Sequence, residues 1–208
     1  IDLAQRYLTQ FIEVINAGVP GEQASEAVSR FQSLLGVHQP DVVLLMDGTN
    51  DLDVISGNGA SAAASAIESM VIAAIAAGAD VFLATIPPQR GTGSADSVSG
   101  YNSQIRSIAA RRGTQLIDVF SIIQHGQCAV QSARRVQSSH GNSDPMPCLG
   151  DDGLHPTVEG YQLVADAFAA AIVERYDTMI EPSLATAAVS GDVTPAAPRE
   201  RRAPRGGR

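Results

Sequence analysis

The sequence of 208 residues contains no lysine and no tryptophan, and only 4% of its residues are aromatic. Without lysine it cannot carry the phosphate-binding loop of nucleotide hydrolases, whose lysine contacts the phosphates. With so few aromatic residues, a core must be built from Ala, Val, Ile and Leu, and a hydrophobic content of 44% is enough to build one. These proportions exclude a collagen-like chain, a disulfide scaffold and a largely disordered protein.

All fourteen basic residues are arginine, and 22 acidic residues bring the net charge to −8. Five of the arginines lie in the last ten residues, within an Ala/Pro/Arg-rich stretch over 186–208 that we expect to be a disordered tail. The rest of the chain has nine arginines against twenty acidic residues, so it would repel the phosphates of DNA and RNA. We therefore expect no nucleic-acid partner, although the tail could instead contact an anionic surface.

Long hydrophobic runs and the spacings of metal or cofactor sites are also absent. No run reaches the ~18 apolar residues of a membrane span, so no transmembrane segment is predicted. The acidic loop 47–53 fails as an EF-hand, because Leu52 and Asn58 stand where that loop requires glycine and glutamate. Residues 91–96 do not match the Gly-x-Gly-x-x-Gly fingerprint of dinucleotide-binding loops, because Asp96 stands where the fingerprint requires its final glycine. We expect neither a metal nor a cofactor.

Hydrophobic runs typical of buried strands alternate with segments of helical periodicity. Strands are predicted at 12–15, 41–46, 81–86 and 115–119, and helices at 1–8, 22–35, 60–77, 96–112 and 157–176. This alternation predicts an α/β fold with a parallel sheet. In such sheets ligands bind at the carboxyl ends of the strands. The loops at those ends cover residues 16–21, 47–53, 87–96 and 120–156.

Two of these loops carry side chains with a chemical use. Asn50 follows a predicted strand and can offer its side-chain N–H groups to an anion above the sheet edge, the alternative being an ordinary polar turn. Asp152-Gly-Leu-His155 precedes the last helix. An acid three residues before a histidine can accept its Nδ1 proton, which leaves Nε2 as a general base. A helix-terminal acid beside a surface histidine is the alternative.

The order Asn16-Ala-Gly-Val-Pro-Gly21, Gly48-Thr-Asn-Asp, then Asp152-Gly-Leu-His resembles the SGNH (GDSL) hydrolase family. The resemblance covers residues 1–180 and implies one hydrolase domain with a three-layer αβα, flavodoxin-like parallel sheet. It implies hydrolysis of a small-molecule carboxylic ester, as in esterases, lipases and lysophospholipases, by a serine nucleophile with histidine and aspartate.

The roles of individual residues follow from the same resemblance. His155 would be the base and Asp152 its orienting partner. Gly21 and Asn50 would form the oxyanion hole, through a backbone N–H and a side-chain amide. Asp51 would support the loop that carries Asn50.

The family's first motif, Gly-Asp-Ser at the end of the first strand, does not occur in this sequence, which begins at Ile1. The resemblance therefore places the nucleophilic serine upstream of Ile1, together with an interior strand of the sheet. We expect the 208 residues alone to be poorly stable and inactive, because buried backbone groups left unpaired cost about 1–3 kcal/mol each. The alternative function is an inactive family member that serves as a binding or scaffold module.

Cys128 and Cys148 both lie in the long loop before Asp152, and the sequence has no other cysteine. A disulfide between them would close that loop, contribute about 3 kcal/mol in the chain-entropy model and stiffen the site. Two unrelated thiols are the alternative, although an even count in one loop favours the disulfide. A disulfide would in turn favour an exported, extracellular protein.

Overall fold

The computed structural model describes residues 13–52, 59–90, 94–128 and 146–190, with side chains described except at 94–96 and 178–190. The elements in these ranges are α1 (Ala24–His38), β1 (Val42–Leu45), α2 (Gly59–Ala76), β2 (Asp80–Ala84), α3 (Ser94–Arg112), β3 (Gln115–Ile117), α4 (Val119–His125) and α5 (Val158–Ser190). By its contacts the chain divides into two compact units, residues 1–171 and 172–208.

The three strands form one parallel sheet in the order β1-β2-β3, which confirms the predicted α/β class. Leu45 of β1 lies beside Leu83 of β2, which in turn lies beside Leu116 of β3. Successive side chains of a strand point to opposite faces, and both Phe82 and Leu83 are buried, so the central strand is covered on both sides. Because all the strands run in one direction, the loops that follow them share one edge of the sheet.

The alanine-rich helix α2 contacts both α1 and α3. Its buried side chains are Ala63, Ala64, Ala66, Ile67, Met70, Val71 and Ala74. By length and hydropathy alone α2 could also cross a membrane, and within the described ranges no second helix meets that test. The burial of these side chains in the main hydrophobic cluster is typical of the core helix of a globular domain.

Most of the predicted elements are present with ends within three residues of the prediction, but the strand predicted at 12–15 is wrong. Residues 13–19 have no regular secondary structure, and Val14 is 84% exposed. A short apolar segment becomes a strand only when another strand supplies its hydrogen-bond partners. Within the part of the chain that the structure describes, no strand lies beside this one.

The second half of the chain departs from the prediction at two helices. α4 occupies residues where the end of a strand and a long loop were predicted. Asp118 begins α4 by accepting a hydrogen bond from the Ser121 amide, and an Asp before an apolar run is a signal that the sequence did contain. α5 continues to Ser190, past Tyr176 and into the first residues of the predicted tail. The helix predicted at 1–8 and residues 191–208 lie outside the described residues.

Candidate active site

The loop 148–157 folds back on itself before α5 begins. The Gly150 amide donates a hydrogen bond to the His155 carbonyl at 2.7 Å, and a second backbone hydrogen bond of 2.9 Å joins the two ends of the loop. Gly153 lies between them with a φ of +72°, a left-handed conformation that glycine adopts without a side-chain clash. The turn brings the Asp152 side chain back to His155.

Asp152 and His155 form a hydrogen-bonded pair. Nδ1 of His155 lies 2.7 Å from Oδ2 of Asp152, while Oδ1 accepts the backbone amides of Leu154 and His155 at 2.9 and 3.0 Å. The hydrogen bonds from the Leu154 amide, the His155 ring and the His155 amide lower the pKa of Asp152 to about 2. Asp152 is therefore a carboxylate at neutral pH and can only accept hydrogen bonds.

The pairing determines which histidine nitrogen carries the proton. Because the carboxylate of Asp152 offers no proton, Nδ1 of neutral His155 must donate, and Nε2 is left with its lone pair. The side chains of His155 and Asp152 are 65% and 54% exposed, so Nε2 is accessible to an incoming group. Within the described ranges, no group of His, Cys, Asp and Glu side chains is placed to hold a metal ion. An imidazole whose Nε2 keeps its lone pair can accept a proton.

Asn50 and Gly21 are brought together where β1 ends and α1 begins. The Asn50 side-chain amide donates to the Glu22 carbonyl at 2.9 Å, which places it next to Gly21. Gly21 has a φ of +79° in the turn before α1. An amide has two N–H groups, and within the described ranges neither the second N–H of Asn50 nor the Gly21 amide has a partner.

Asp51 is a buried residue that stabilises the contact between the Asn50 loop and the turn of Gly21. Its side chain is 3% exposed, and Oδ2 accepts a hydrogen bond of 2.8 Å from the Ala24 amide at the first turn of α1. Gln23, at the N-cap position, makes no side-chain capping hydrogen bond. Asp51 therefore caps α1 from a loop 27 residues away and holds the loop that carries Asn50 against the helix.

The Asp152–His155 loop is attached to the same edge of the sheet. Asn50 lies in the loop after β1, and Arg90 lies in the segment after the neighbouring strand β2. The Arg90 amide donates to the Gly153 carbonyl at 2.7 Å. All four residues that the sequence singled out, together with Asp51, thus lie in or beside loops at the carboxyl edge of the sheet, where α/β proteins bind ligands.

Residues 2–163 of the chain match a family model, that of the GDSL-like lipase/acylhydrolase family. The chain belongs to the GDSL-like lipase/acylhydrolase family. The family resemblance carried by Gly21, Asn50 and His155 is therefore confirmed, and membership supports ester hydrolysis as the general class of its activity.

Solved structures agree with this assignment at the level of the fold. A lipase/acylhydrolase from Enterococcus faecalis is 20% identical with a TM-score of 0.64, and the match covers 84% of each chain. A GDSL-like lipase from Bacteroides thetaiotaomicron is 20% identical with a TM-score of 0.61, over 80% of this chain and 76% of that one. An acetylxylan esterase from Geobacillus stearothermophilus is 21% identical with a TM-score of 0.64, over 82% and 77%. A comparison with curated proteins finds no match.

Two polar residues of α3 that the sequence did not single out shape the site of this family member. The Tyr101 hydroxyl donates to the Asp47 carbonyl at 2.7 Å, directly below the loop that carries Asn50. Burial raises the pKa of Tyr101, so it remains a donor. Gly48 faces it with a φ of +103°, and a Cβ atom there would overlap the Tyr101 hydroxyl. Asn102, also buried, both donates to and accepts from the backbone of Ile86 at 3.0 and 2.9 Å.

Arg30 was also missed, because no motif marks its partners, which lie 8 and 13 residues earlier in the chain. It donates from Nε to Glu22 at 2.9 Å and from Nη1 to the Ala17 carbonyl at 2.8 Å. The pairing lowers the pKa of Glu22. Arg30 thereby ties the loop that contains Gly21 to the outer face of α1.

The structure joins Cys128 and Cys148 in a disulfide, with their Cα atoms 5.1 Å apart. Cys148 is fully buried, and its carbonyl accepts the Thr157 amide at the base of the Asp152–His155 loop. The disulfide therefore anchors this loop to the residues that follow α4.

Proposed function

We propose that this protein hydrolyses a carboxylic ester by a Ser-His-Asp mechanism in which His155 is the general base. The observation that carries the proposal is the 2.7 Å contact between Nδ1 of His155 and the Asp152 carboxylate. It keeps the imidazole in the tautomer whose Nε2 can take a proton, and it stabilises the imidazolium that results. Because both side chains are exposed, a substrate can reach them.

Gly21 and Asn50 are proposed as the oxyanion hole. The free N–H of the Asn50 amide and the Gly21 amide are neighbours, and both are donors without a partner in the described part of the chain. Donors held in place before the reaction stabilise the negative charge that develops on the carbonyl oxygen, each by about 3 kcal/mol. Asp51 has a supporting role, because it holds the turn before α1 in register with Asn50.

The nucleophile is proposed to be a serine outside residues 1–208. Its hydroxyl oxygen attacks the ester carbonyl while its proton passes to Nε2 of His155. The tetrahedral intermediate collapses as the imidazolium returns that proton to the leaving alcohol. A water molecule, activated by His155 in the same way, then releases the carboxylic acid and regenerates the serine. No atom outside enzyme, ester and water is needed.

The first prediction concerns His155 in the protein produced with its natural sequence upstream of Ile1. Hydrolysis of p-nitrophenyl acetate should lose about 10³-fold or more in kcat for His155→Ala, because the serine loses its base. Asn50→Ala should lose about 10²–10³-fold, because one oxyanion donor is removed. His38→Ala is the matched control, since His38 is an exposed histidine at the other end of α1.

Equal activities of the parent protein and His155→Ala would overturn the mechanism. A parent protein with no hydrolytic activity, and with no Gly-Asp-Ser upstream of Ile1, would favour the binding or scaffold module instead. Residues 1–208 produced alone should be inactive under the same assay.

A further inference from the structure

We propose that Arg90 is a positioning residue that sets the place of the Asp152–His155 pair relative to the oxyanion loop. The inference rests on the proposed function. Arg90 touches neither proposed catalytic side chain, and it acts through the backbone of the loop that carries them.

The pair needs such a residue because its side chains are not held by packing. The side chains of His155 and Asp152 are 65% and 54% exposed, and among the described residues the hydrogen-bond partners of Asp152 all lie in its own loop. These contacts hold the two side chains to each other. They do not place the pair relative to Asn50, which lies on a different loop. The distance between the pair and Asn50 depends on what attaches loop 148–157 to the rest of the domain.

Arg90 supplies two attachments at separate points of this segment. Its backbone amide donates to the Gly153 carbonyl at 2.7 Å, at the turn between Asp152 and His155. Its guanidinium Nη2 donates to the Met146 carbonyl at 3.1 Å, two residues before the loop begins. A hydrogen bond from a charged donor is stronger than one between neutral groups. Gly153 also packs so closely that a Cβ atom there would lie 2.8 Å from Cβ of Arg90.

The residues that precede Arg90 are packed inside the domain. Arg90 follows the buried residues Ile86, Pro87 and Pro88 at the end of β2. Asn102 pairs with both backbone groups of Ile86, as a neighbouring strand would. β2 is hydrogen-bonded to β1, which leads directly into the loop of Asn50. Arg90 therefore links the base to the oxyanion donors through the central strand of the sheet.

The test compares Arg90→Ala with Arg90→Lys in the protein produced with its natural sequence upstream of Ile1. Arg90→Ala removes the guanidinium hydrogen bond to Met146 and keeps the backbone hydrogen bond to Gly153. It should lower kcat for p-nitrophenyl acetate by about 10-fold with KM unchanged, because a misplacement of about 1 Å can cost up to about 10²-fold. Arg90→Lys retains a charged donor and should recover part of the loss. The thermal midpoint should stay at the parent value in both variants.

The matched control is Arg111→Ala. Arg111 is an exposed arginine near the carboxyl end of α3, with an ion pair to Glu68, and the chain enters β3 only four residues later. It therefore lies near the amino edge of the sheet, opposite the site. We expect the kcat of the Arg111→Ala variant to equal that of the parent protein.

A second readout does not depend on catalysis. Amide hydrogen exchange over 146–157 should be faster in Arg90→Ala and unchanged in Arg111→Ala, because only the first loses an attachment of the loop. If Arg90→Ala did not fold, Arg90→Lys would carry both measurements, with an intermediate loss of kcat expected.

The outcomes separate this inference from the proposed function. Parent kcat in Arg90→Ala, or unchanged exchange, overturns the role of Arg90 even if His155→Ala is inactive. A loss of kcat that follows a fall in thermal midpoint, without recovery in Arg90→Lys, also overturns it. Parent activity in His155→Ala overturns the proposed function instead, whatever the exchange data show.

Discussion

Polar side chains that are wholly or partly buried hold the loops of the site in place. Asp51 caps a helix from a distant loop, Asn102 pairs with the end of β2, and the hydroxyl of Tyr101 fills the space beside Gly48. Each of these groups is hydrogen-bonded to backbone, which removes most of the cost of burying it. These contacts hold the described parts of the loops after β1 and β2 against the helices that flank the sheet.

Asp47 is the residue at which charge and burial conflict. Burial raises the pKa of its carboxyl above the ordinary 3.8, despite the 2.6 Å hydrogen bond that it accepts from the Gly48 amide, and Asp51 and Glu22 add repulsion. The ionised form is therefore disfavoured in the folded state. The stabilisation that protonated Asp47 provides is therefore fully present below the ordinary pKa of 3.8, and it is lost as the pH rises through the folded-state pKa.

We predict that Asp47→Asn raises the free energy of unfolding at pH 7, measured by urea denaturation. Asparagine keeps the oxygen that accepts the Gly48 amide and removes the charge. The gain should shrink as the pH falls toward 4, because Asp47 of the parent protein then takes up a proton. Asp41→Asn, at an exposed position on the amino side of β1, should show no such gain. A lower stability of Asp47→Asn at every pH would contradict the sign of the pKa shift.

At the scale of elements, α1 and the loop after β1 stabilise each other. The helix begins at Ala24 without a capping side chain of its own, and Asp51 supplies the acceptor. A negative charge near a helix N-terminus also interacts favourably with the helix dipole. This contact, together with the hydrogen bond from Asn50 to the Glu22 carbonyl, joins the turn of Gly21 to the loop of Asn50.

Replacing Asp51 tests this connection. Asp51→Ala should lower the free energy of unfolding by about 1–3 kcal/mol, because the buried Ala24 amide loses its partner. Asp51→Asn keeps an oxygen in place and should lose less. Both can be followed by urea denaturation, with kcat for p-nitrophenyl acetate falling more in the alanine variant. Equal stability of the alanine variant and the parent protein would show that another group caps α1.

At the scale of the whole molecule, one disulfide closes a long connection next to the site. Cys128 and Cys148 are 20 residues apart in sequence, and Cys148 is fully buried. In the chain-entropy model such a cross-link stabilises the folded state by about 3 kcal/mol. It also attaches the start of the Asp152–His155 segment to the residues after α4.

We predict that Cys128→Ala/Cys148→Ala lowers the free energy of unfolding by about 3 kcal/mol in urea denaturation. Addition of a thiol reductant to the parent protein should produce a similar loss. The double variant itself is the control for the reductant and should not respond to it. A parent protein whose unfolding is the same with and without reductant, while a thiol assay shows full reduction, would contradict the prediction.

Some helices and strands could be predicted closely from the sequence and others could not, and the reasons are physical. α2 and β2 were predicted closely, because runs such as Val-Phe-Leu-Ala carry their own hydrophobic pattern. The strand predicted at 12–15 was wrong because pairing, and not pattern, decides whether such a segment is a strand. α4 was not predicted although Asp118 marks its start, since Val119 was assigned to the end of a strand and the residues after it to a long loop.

The sequence by itself determined the α/β class, the family and the identity of the polar residues at the sheet edge, because motifs such as Asp152-Gly-Leu-His155 act over a few residues. Only the tertiary structure decided what holds these motifs in place. Arg90 and Asn102 act on backbone groups far away in sequence, so no local pattern marks them. The motif does mark Asp51, but not the distant Ala24 amide that it caps. The physical reason is that side-chain to backbone hydrogen bonds across a fold leave no periodicity in the chain.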